Sequence, residues 1–217
     1  MNKLGMNARE LRLCLEFVAE TVIGEESRLT SLDSAIGDGD HGITMRIGFE
    51  AIKRKFASLD EKADLERVFD HAGKSFMGAT GGAIGVLLGS MLTASGKALS
   101  GSAEMGAAEF KRVLEAMELS LIKLGKAKPG DKTILDAVHA ACEAVTDPAI
   151  QDLQTMLIRA ATAAAEGAQK TSGMLCAKGR ASRLGERVLG HPDPGAVSFS
   201  IILEAMAKWL ASHAVTQ

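Results

Sequence analysis

Asp33, Asp38 and Asp40 stand at i, i+5 and i+7 in the stretch Leu32-Asp33-Ser34-Ala35-Ile36-Gly37-Asp38-Gly39-Asp40-His41-Gly42-Ile43-Thr44, a glycine-rich loop between two helix-like stretches. Carboxylates are hard oxygen ligands suited to Mg²⁺, which binds at about 2.0–2.1 Å and usually completes its shell with water and phosphate oxygens. Three on one short loop repel one another unless a cation lies between them, so the spacing predicts a cage for Mg²⁺ and phosphate. The plain alternative is a solvated acidic turn, since Asp and Gly are the commonest turn residues. A calcium loop counted from Asp38 fails, because Ile43 holds the position that requires glycine and Phe49 the position that requires a bidentate Glu. Zinc is disfavoured by a single His without a spaced partner. His41 then reads as a phosphate contact or a group behind the ligands.

Further polar chemistry gathers in other glycine-bearing breaks. Gly78-Ala79-Thr80-Gly81-Gly82-Ala83-Ile84-Gly85 opens a helical stretch and suits either close backbone approach to a nucleotide or tight helix packing. Gly73-Lys74-Ser75 ends like a P-loop, but Val68 occupies the first glycine position and the preceding residues read as helix. Gly125-Lys126-Ala127-Lys128-Pro129-Gly130-Asp131-Lys132-Thr133 is a turn running into a helix, with Asp131 as the expected N-cap. Residues 178–187 bring Arg180, Arg183 and Arg187 near glycines, suited to phosphate or simply to solvent. His191-Pro192-Asp193-Pro194-Gly195 starts the last helix, with Asp193 as N-cap and Pro194 at the first helical position.

The elements that must position these breaks are helices. Aromatics make up 4% of the chain, Tyr is absent, and the apolar quota is carried mainly by residues of high helix propensity. Apolar recurrence at helical spacing predicts eight helices, over residues 8–23, 43–56, 65–77, 83–98, 107–124, 132–145, 149–172 and 195–214. Short connections favour antiparallel neighbours, so the expected architecture is all-α, a single-domain antiparallel eight-helix bundle or barrel over residues 1–217, its site at one end. A net charge of −2 gives no electrostatic footprint for nucleic acid. The three cysteines lack metal or disulfide spacing, and neither a signal peptide nor an uncharged apolar run of membrane-spanning length is read, so the expected setting is cytoplasmic without a membrane span.

Five strings in order, Asp33-x₄-Asp38-x-Asp40-His41-Gly42, Gly81-Gly82-Ala83-x-Gly85, Gly125-Lys126-Ala127-x-Pro129-Gly130-Asp131-Lys132-Thr133, the segment from Lys178 to Arg187, and Gly190-His191-x-Asp193-Pro194-Gly195-Ala196, closely resemble the L subunit, or nucleotide-binding domain, of dihydroxyacetone kinases. The resemblance spans nearly the whole chain. It implies an eight-helix barrel that binds ADP or ATP through two Mg²⁺ ions held by Asp33, Asp38 and Asp40. It further implies that His41, Gly42, Ile43 and Thr44 line the phosphates, Ala83 and Ile84 the glycine-rich edge, and Gly125 and Ile134 the base pocket. Arg180, Asp193, Pro194 and Gly195 would complete the nucleotide contacts, with Arg180 offsetting charge in the transition state. Thr44 and Ile84 depart from the Asn and Ser of the best-known members.

The same resemblance implies that the ketose sits on a separate K-type subunit, which makes this chain the phosphoryl-delivering half of a kinase for dihydroxyacetone or a tetrulose such as erythrulose. The donor is either ATP, or a phosphoenolpyruvate-dependent phosphotransferase protein that rephosphorylates bound ADP. Homodimer formation is left open. Two other classes compete: a regulatory module whose nucleotide state is read by a partner, and a stand-alone metal phosphohydrolase.

Overall fold

In the computed structural model, described over residues 5–213, the chain is almost wholly helical. The helices are α1 (Ala8–Gly24), α2 (Glu26–Ile36), α3 (His41–Phe56), α4 (Leu65–Ala79), α5 (Gly82–Ala98), α6 (Ala107–Gly125), α7 (Ile134–Ala144), α8 (Leu153–Lys170) and α9 (Pro194–His213). The connection from α8 to α9 holds 3₁₀ turns at Thr171–Gly173 and Arg180–Val188. Extended chain among the described residues pairs only where β1 (Met6–Asn7) runs antiparallel to β2 (Glu104–Met105), tying the start of α1 to the α5–α6 connection.

Eight helices close into a ring. α1 packs on α3, each helix from α3 onward packs on its successor, and α9 returns to α1. This is the expected antiparallel barrel, and α2 is an addition to it, laid against α3, α9 and the Arg180–Val188 turn. Helical periodicity explains the ring: α4 buries Leu65, Val68, Phe69, Ala72 and Phe76 at spacings of one helical face. Inside, Phe76 meets Phe49 of α3 edge to face with centroids 5.6 Å apart. α9 is long and apolar enough to cross a membrane, but 67% of its most apolar window is buried, because α1, α7 and α8 all pack on it.

α2 is the element that periodicity missed. Its sequence buries only Leu29 and Ile36, too few for an apolar stripe. The consequence is local but matters: Asp33 rides on the last turn of a helix, and the loop shrinks to residues 37–40.

Caps separate the two ends of the barrel. At the end holding β1 and β2, Asn7 and Glu10 form a capping box on α1, Asp64 accepts the Arg67 N–H at 2.9 Å, Asp152 accepts the Thr155 N–H at 2.8 Å, and Glu109 accepts the Gly106 N–H at 3.2 Å. Every helix that starts there is closed by a side chain.

Candidate functional site

α3, α5, α7 and α9 start at the other end. α7 and α9 are capped there by their own N-cap side chains, whereas the N-cap residues of α3 and α5 give no capping bond: Asp40 makes none, Gly81 has none to make, and only the first amide of α3, at His41, is taken up by a side chain, that of Asp33. Among the described residues, the early amides of α3 at Gly42 and Ile43, and of α5 at Gly82, Ala83 and Ile84, thus receive no acceptor from the N-cap residue of their helix. Uncapped helix starts are anion sites, because the first N–H groups of a helix have no partner within it. A Cβ at Gly78, Gly81 or Gly82 would meet nothing within 4 Å, and Gly82 takes φ +71°, so these glycines keep backbone exposed instead of packing helices together.

The three carboxylates lie beside the start of α3. Asp33 (half-buried), Asp38 and Asp40 (both exposed) each offer one oxygen, and the three oxygens lie within 4.8 Å of one another. Opposite ligands of an octahedral Mg²⁺ stand about 4.2 Å apart, twice its bond length of about 2.1 Å. The carboxylates therefore need shifts of under about 1 Å to share one ion, and their exposed side leaves room for water and ligand oxygens. Asp33 is held in place by the backbone N–H of His41, at 3.2 Å from Oδ2. This donor set fits Mg²⁺.

Gly42 fixes the distance between the helices that carry these ligands. Its Cα faces α2, and a Cβ would overlap the Glu26 carbonyl and the Thr30 hydroxyl and lie 2.7 Å from the Thr30 nitrogen. His41 also turns inward: the ring is buried, its Nε2 is 3.2 Å from Ser198 Oγ of α9, and the Pro194 carbonyl accepts from it. Burial pulls its pKa down to about 4, against the opposing charge of Asp33. The side chain of His41 thus ties α3 to α9. Ile43 is exposed and Thr44 half-buried on the same first turn.

Across the opening, Gly125 ends α6 beside Leu87 of α5, and Ile134, buried, begins α7. Gly195 closes on Ile134 so tightly that a Cβ would stand 3.3 Å from the Ile134 Cβ, which joins the starts of α7 and α9. Asp193 and Pro194 take the positions expected of them, with the Asp193 carboxylate accepting the Ala196 N–H at 2.8 Å. Burial, against the pull of that N–H, pushes the Asp193 carboxyl up to about 7; Asp136 and Asp33 add to the rise and Lys132 opposes it.

One expectation is corrected. Thr133, not Asp131, caps α7: its hydroxyl accepts the Leu135 N–H at 3.2 Å and Asp136 accepts the Thr133 N–H at 2.7 Å. Asp131 is buried instead and accepts the Lys128 N–H at 3.0 Å, because Lys132 turns through φ +59° and delays the helix by two residues. The P-loop-like string is helix, as its surroundings read, with Gly73 packed on α5 and Lys74 paired to Asp70 at 2.8 Å. Arg180 opens its 3₁₀ turn, and its side chain lies outside the described residues; Arg183 and Arg187 are exposed.

Sequence reasoning gave no role to Lys132. It is 1% exposed, and its ammonium donates to three backbone carbonyls, of Thr171 at 2.6 Å, Val188 at 3.1 Å and His191 at 2.5 Å. Nothing in a turn written Gly-Asp-Lys-Thr signals that its cation is interior.

Residues 35–208 match the DAK2 domain. The chain is 38% identical over 189 residues to the "PEP-dependent dihydroxyacetone kinase 1, ADP-binding subunit DhaL" of Listeria innocua, an alignment covering 87% of this chain and 90% of that protein. It is 36% identical over 203 residues to "D-erythrulose kinase" of Mycolicibacterium smegmatis, covering 92% of this chain and 35% of that one. Among solved structures, the dihydroxyacetone kinase from C. freundii in complex with AMP-PNP and Mg²⁺ superposes with a TM-score of 0.68 at 27% identity, covering 96% of this chain and 35% of that one.

Proposed function

The chain belongs to the DAK2-domain family, and from that membership we propose that it is the nucleotide-binding subunit of a two-component ketose kinase, holding ADP or ATP with Mg²⁺ and passing the γ-phosphoryl group to a ketose on a separate K-type subunit. One observation carries this reading: two helix starts whose N-cap residues give no capping bond and the three-carboxylate cluster occupy the same end of the barrel. Together they offer amide donors for phosphate oxygens and hard ligands for the accompanying cation. The Listeria relative, named as an ADP-binding subunit, is matched over nearly its full length, and the C. freundii enzyme was crystallised with a nucleotide analogue and Mg²⁺.

In this reading Asp33, Asp38 and Asp40 would hold Mg²⁺, a second ion being shared with the nucleotide, and the metal would supply charge neutralisation to the polyphosphate. The amides of Gly42 and Ile43 take one phosphate group, and those of Ala83 and Ile84 the neighbouring one. Gly125, Ile134, Pro194 and Gly195 form the wall for the base. Arg180 is assigned to the charge that develops in transfer. Catalysis is then positioning and electrostatic stabilisation, and no side chain here serves as a covalent nucleophile. Ile84 and Thr44 adjust phosphate contacts at the rim. The acceptor is dihydroxyacetone or a tetrulose, as the named relatives suggest.

Titration calorimetry of ADP with and without Mg²⁺, on the wild type and on Asp33→Ala, Asp38→Ala and Asp40→Ala, tests the site. Tight binding that ignores Mg²⁺, or unchanged affinity in all three variants, would overturn it. Turnover with a K-type partner on ATP alone, against turnover only with the phosphoenolpyruvate chain, separates the two donors.

A further inference from the structure

We infer that Lys132 is a positioning residue that clasps both ends of the basic segment 172–190 and so presents it to the polyphosphate; the phosphate half of this inference rests on the function proposed above. An ammonium has three N–H donors, and here all three are spent on backbone carbonyls. Those carbonyls belong to the two ends of one segment: Thr171 where it leaves α8, and Val188 and His191 where it returns to α9. Between them lie Lys178, Arg180, Arg183 and Arg187.

The main chain around Lys132 takes part in the same tie. Ala177 N–H donates to the Asp131 carbonyl at 3.1 Å, and the Cys176 thiol lies 3.8 Å from the Lys132 carbonyl oxygen. The segment closes on itself where Gly190 N–H donates to the Ser172 carbonyl at 2.9 Å and Asp193 N–H to the Thr171 hydroxyl at 2.8 Å. Lys132 stands two residues before Ile134 and reaches the strip that leads to Asp193. One side chain therefore couples the start of α7, where the base is assigned, to the segment that carries the guanidinium groups.

The arrangement is specific for lysine. Three carbonyls that converge on a point match a compact ammonium, whereas the flat, forked guanidinium of arginine directs its donors apart. A neutral side chain takes a charged donor from all three carbonyls: Thr171 and Val188 keep only their local turn donors, the Met174 N–H at 3.0 Å and the His191 N–H at 3.4 Å, and the half-buried His191 carbonyl loses the donor it has here. Lys132 also adopts φ +59°, an uncommon conformation for a residue with a Cβ, and holds it because the clasp fixes both its side chain and its carbonyl.

The test uses Lys132→Met and Lys132→Ala in the whole chain. In nucleotide-free protein, amide exchange across residues 172–190 should speed up at least tenfold in Lys132→Met while the interiors of α3 and α5 stay as in wild type. Trypsin should then cut at Lys178, Arg183 or Arg187 faster than in wild type. Affinity for ADP with Mg²⁺ should fall tenfold or more, and methylamine or ethylamine should restore part of it in Lys132→Ala by refilling the carbonyl cage. Lys132→Arg should not rescue either readout. Unchanged exchange of the segment refutes the clasp. A released segment with ADP affinity within twofold of wild type refutes its role toward the phosphates. Failure of the wild type to bind ADP with Mg²⁺ strikes the proposed function instead, and the exchange experiment still decides the clasp.

Discussion

Replacing Gly42 with Ala separates the metal ligands without touching any of them. Ordinary contact for a Cβ begins at 3.4 Å, and the new methyl would stand 2.7 Å from the Thr30 nitrogen, so α2 and α3 must part by about 0.7 Å there and by more at the Glu26 carbonyl. Asp33 moves with α2, while Asp40 and the His41 N–H move with α3. Metal ligation tolerates about 0.2 Å, and disturbing the groups that orient ligands typically costs 10–100-fold in metal affinity. Forcing a methyl into a packed helix contact costs about 1–3 kcal/mol of stability, which in a chain of this size lowers Tm by about 2–12 °C. Calorimetry should therefore show ADP binding in the presence of Mg²⁺ weakened at least tenfold, with metal-free ADP binding changed much less, because the methyl is directed at α2. A folded Gly42→Ala protein that keeps wild-type Mg²⁺ dependence would refute the claim that this glycine sets the ligand spacing.

Asp193→Asn keeps an acceptor for the Ala196 N–H but removes a charge. The folded carboxyl, raised to about 7, holds its proton where the unfolded one has lost it, so stability falls as pH rises from about 4 through 7. Apo Asp193→Asn should match wild type near pH 4 and exceed it at pH 8 by about 1–2 kcal/mol, after discounting for the water that reaches this group. Equal pH–Tm curves for the two proteins would contradict the buried-carboxyl assignment. Lys74→Met should leave nucleotide affinity within twofold and Tm nearly unchanged, since an exposed i,i+4 pair is worth about 0.3–0.5 kcal/mol; a large loss would revive the P-loop string as a phosphate site.

The barrel was legible wherever helices bury one face. The starts and stops of α4, α5 and α9 follow from Leu65 to Phe76, from the Gly81-Gly82 break and from Asp193-Pro194, because packing and capping write themselves into residue type. α2 was not legible, since a helix that buries two residues leaves no period to read. For the same reason Asp33 was placed on a loop. The cluster itself survived this error, because i, i+5 and i+7 bring the carboxylates together whether the first sits on a helical turn or before it. His41 shows the opposite limit. Its direction has no local signature, because nothing local says that Ser198, 157 residues away, takes its Nε2. Lys132 fails in the same way: three carbonyls from distant backbone decide its role, and carbonyls are invisible to sequence pattern.

The antiparallel ring has one more consequence, for long-range attraction. At the open end α3, α5, α7 and α9 present their starts, while α1, α4, α6 and α8 present their finishes. Each start carries roughly +0.5 and each finish roughly −0.5 of an elementary charge. The eight half-charges alternate around the rim and cancel beyond a few ångströms, so the barrel casts almost no field of its own into solvent. An anion is drawn in from a distance only by mobile charges, the metal and the basic side chains of the segment after α8. The helix amides act on arrival. Salt should therefore slow capture of a polyphosphate more than it loosens one already seated.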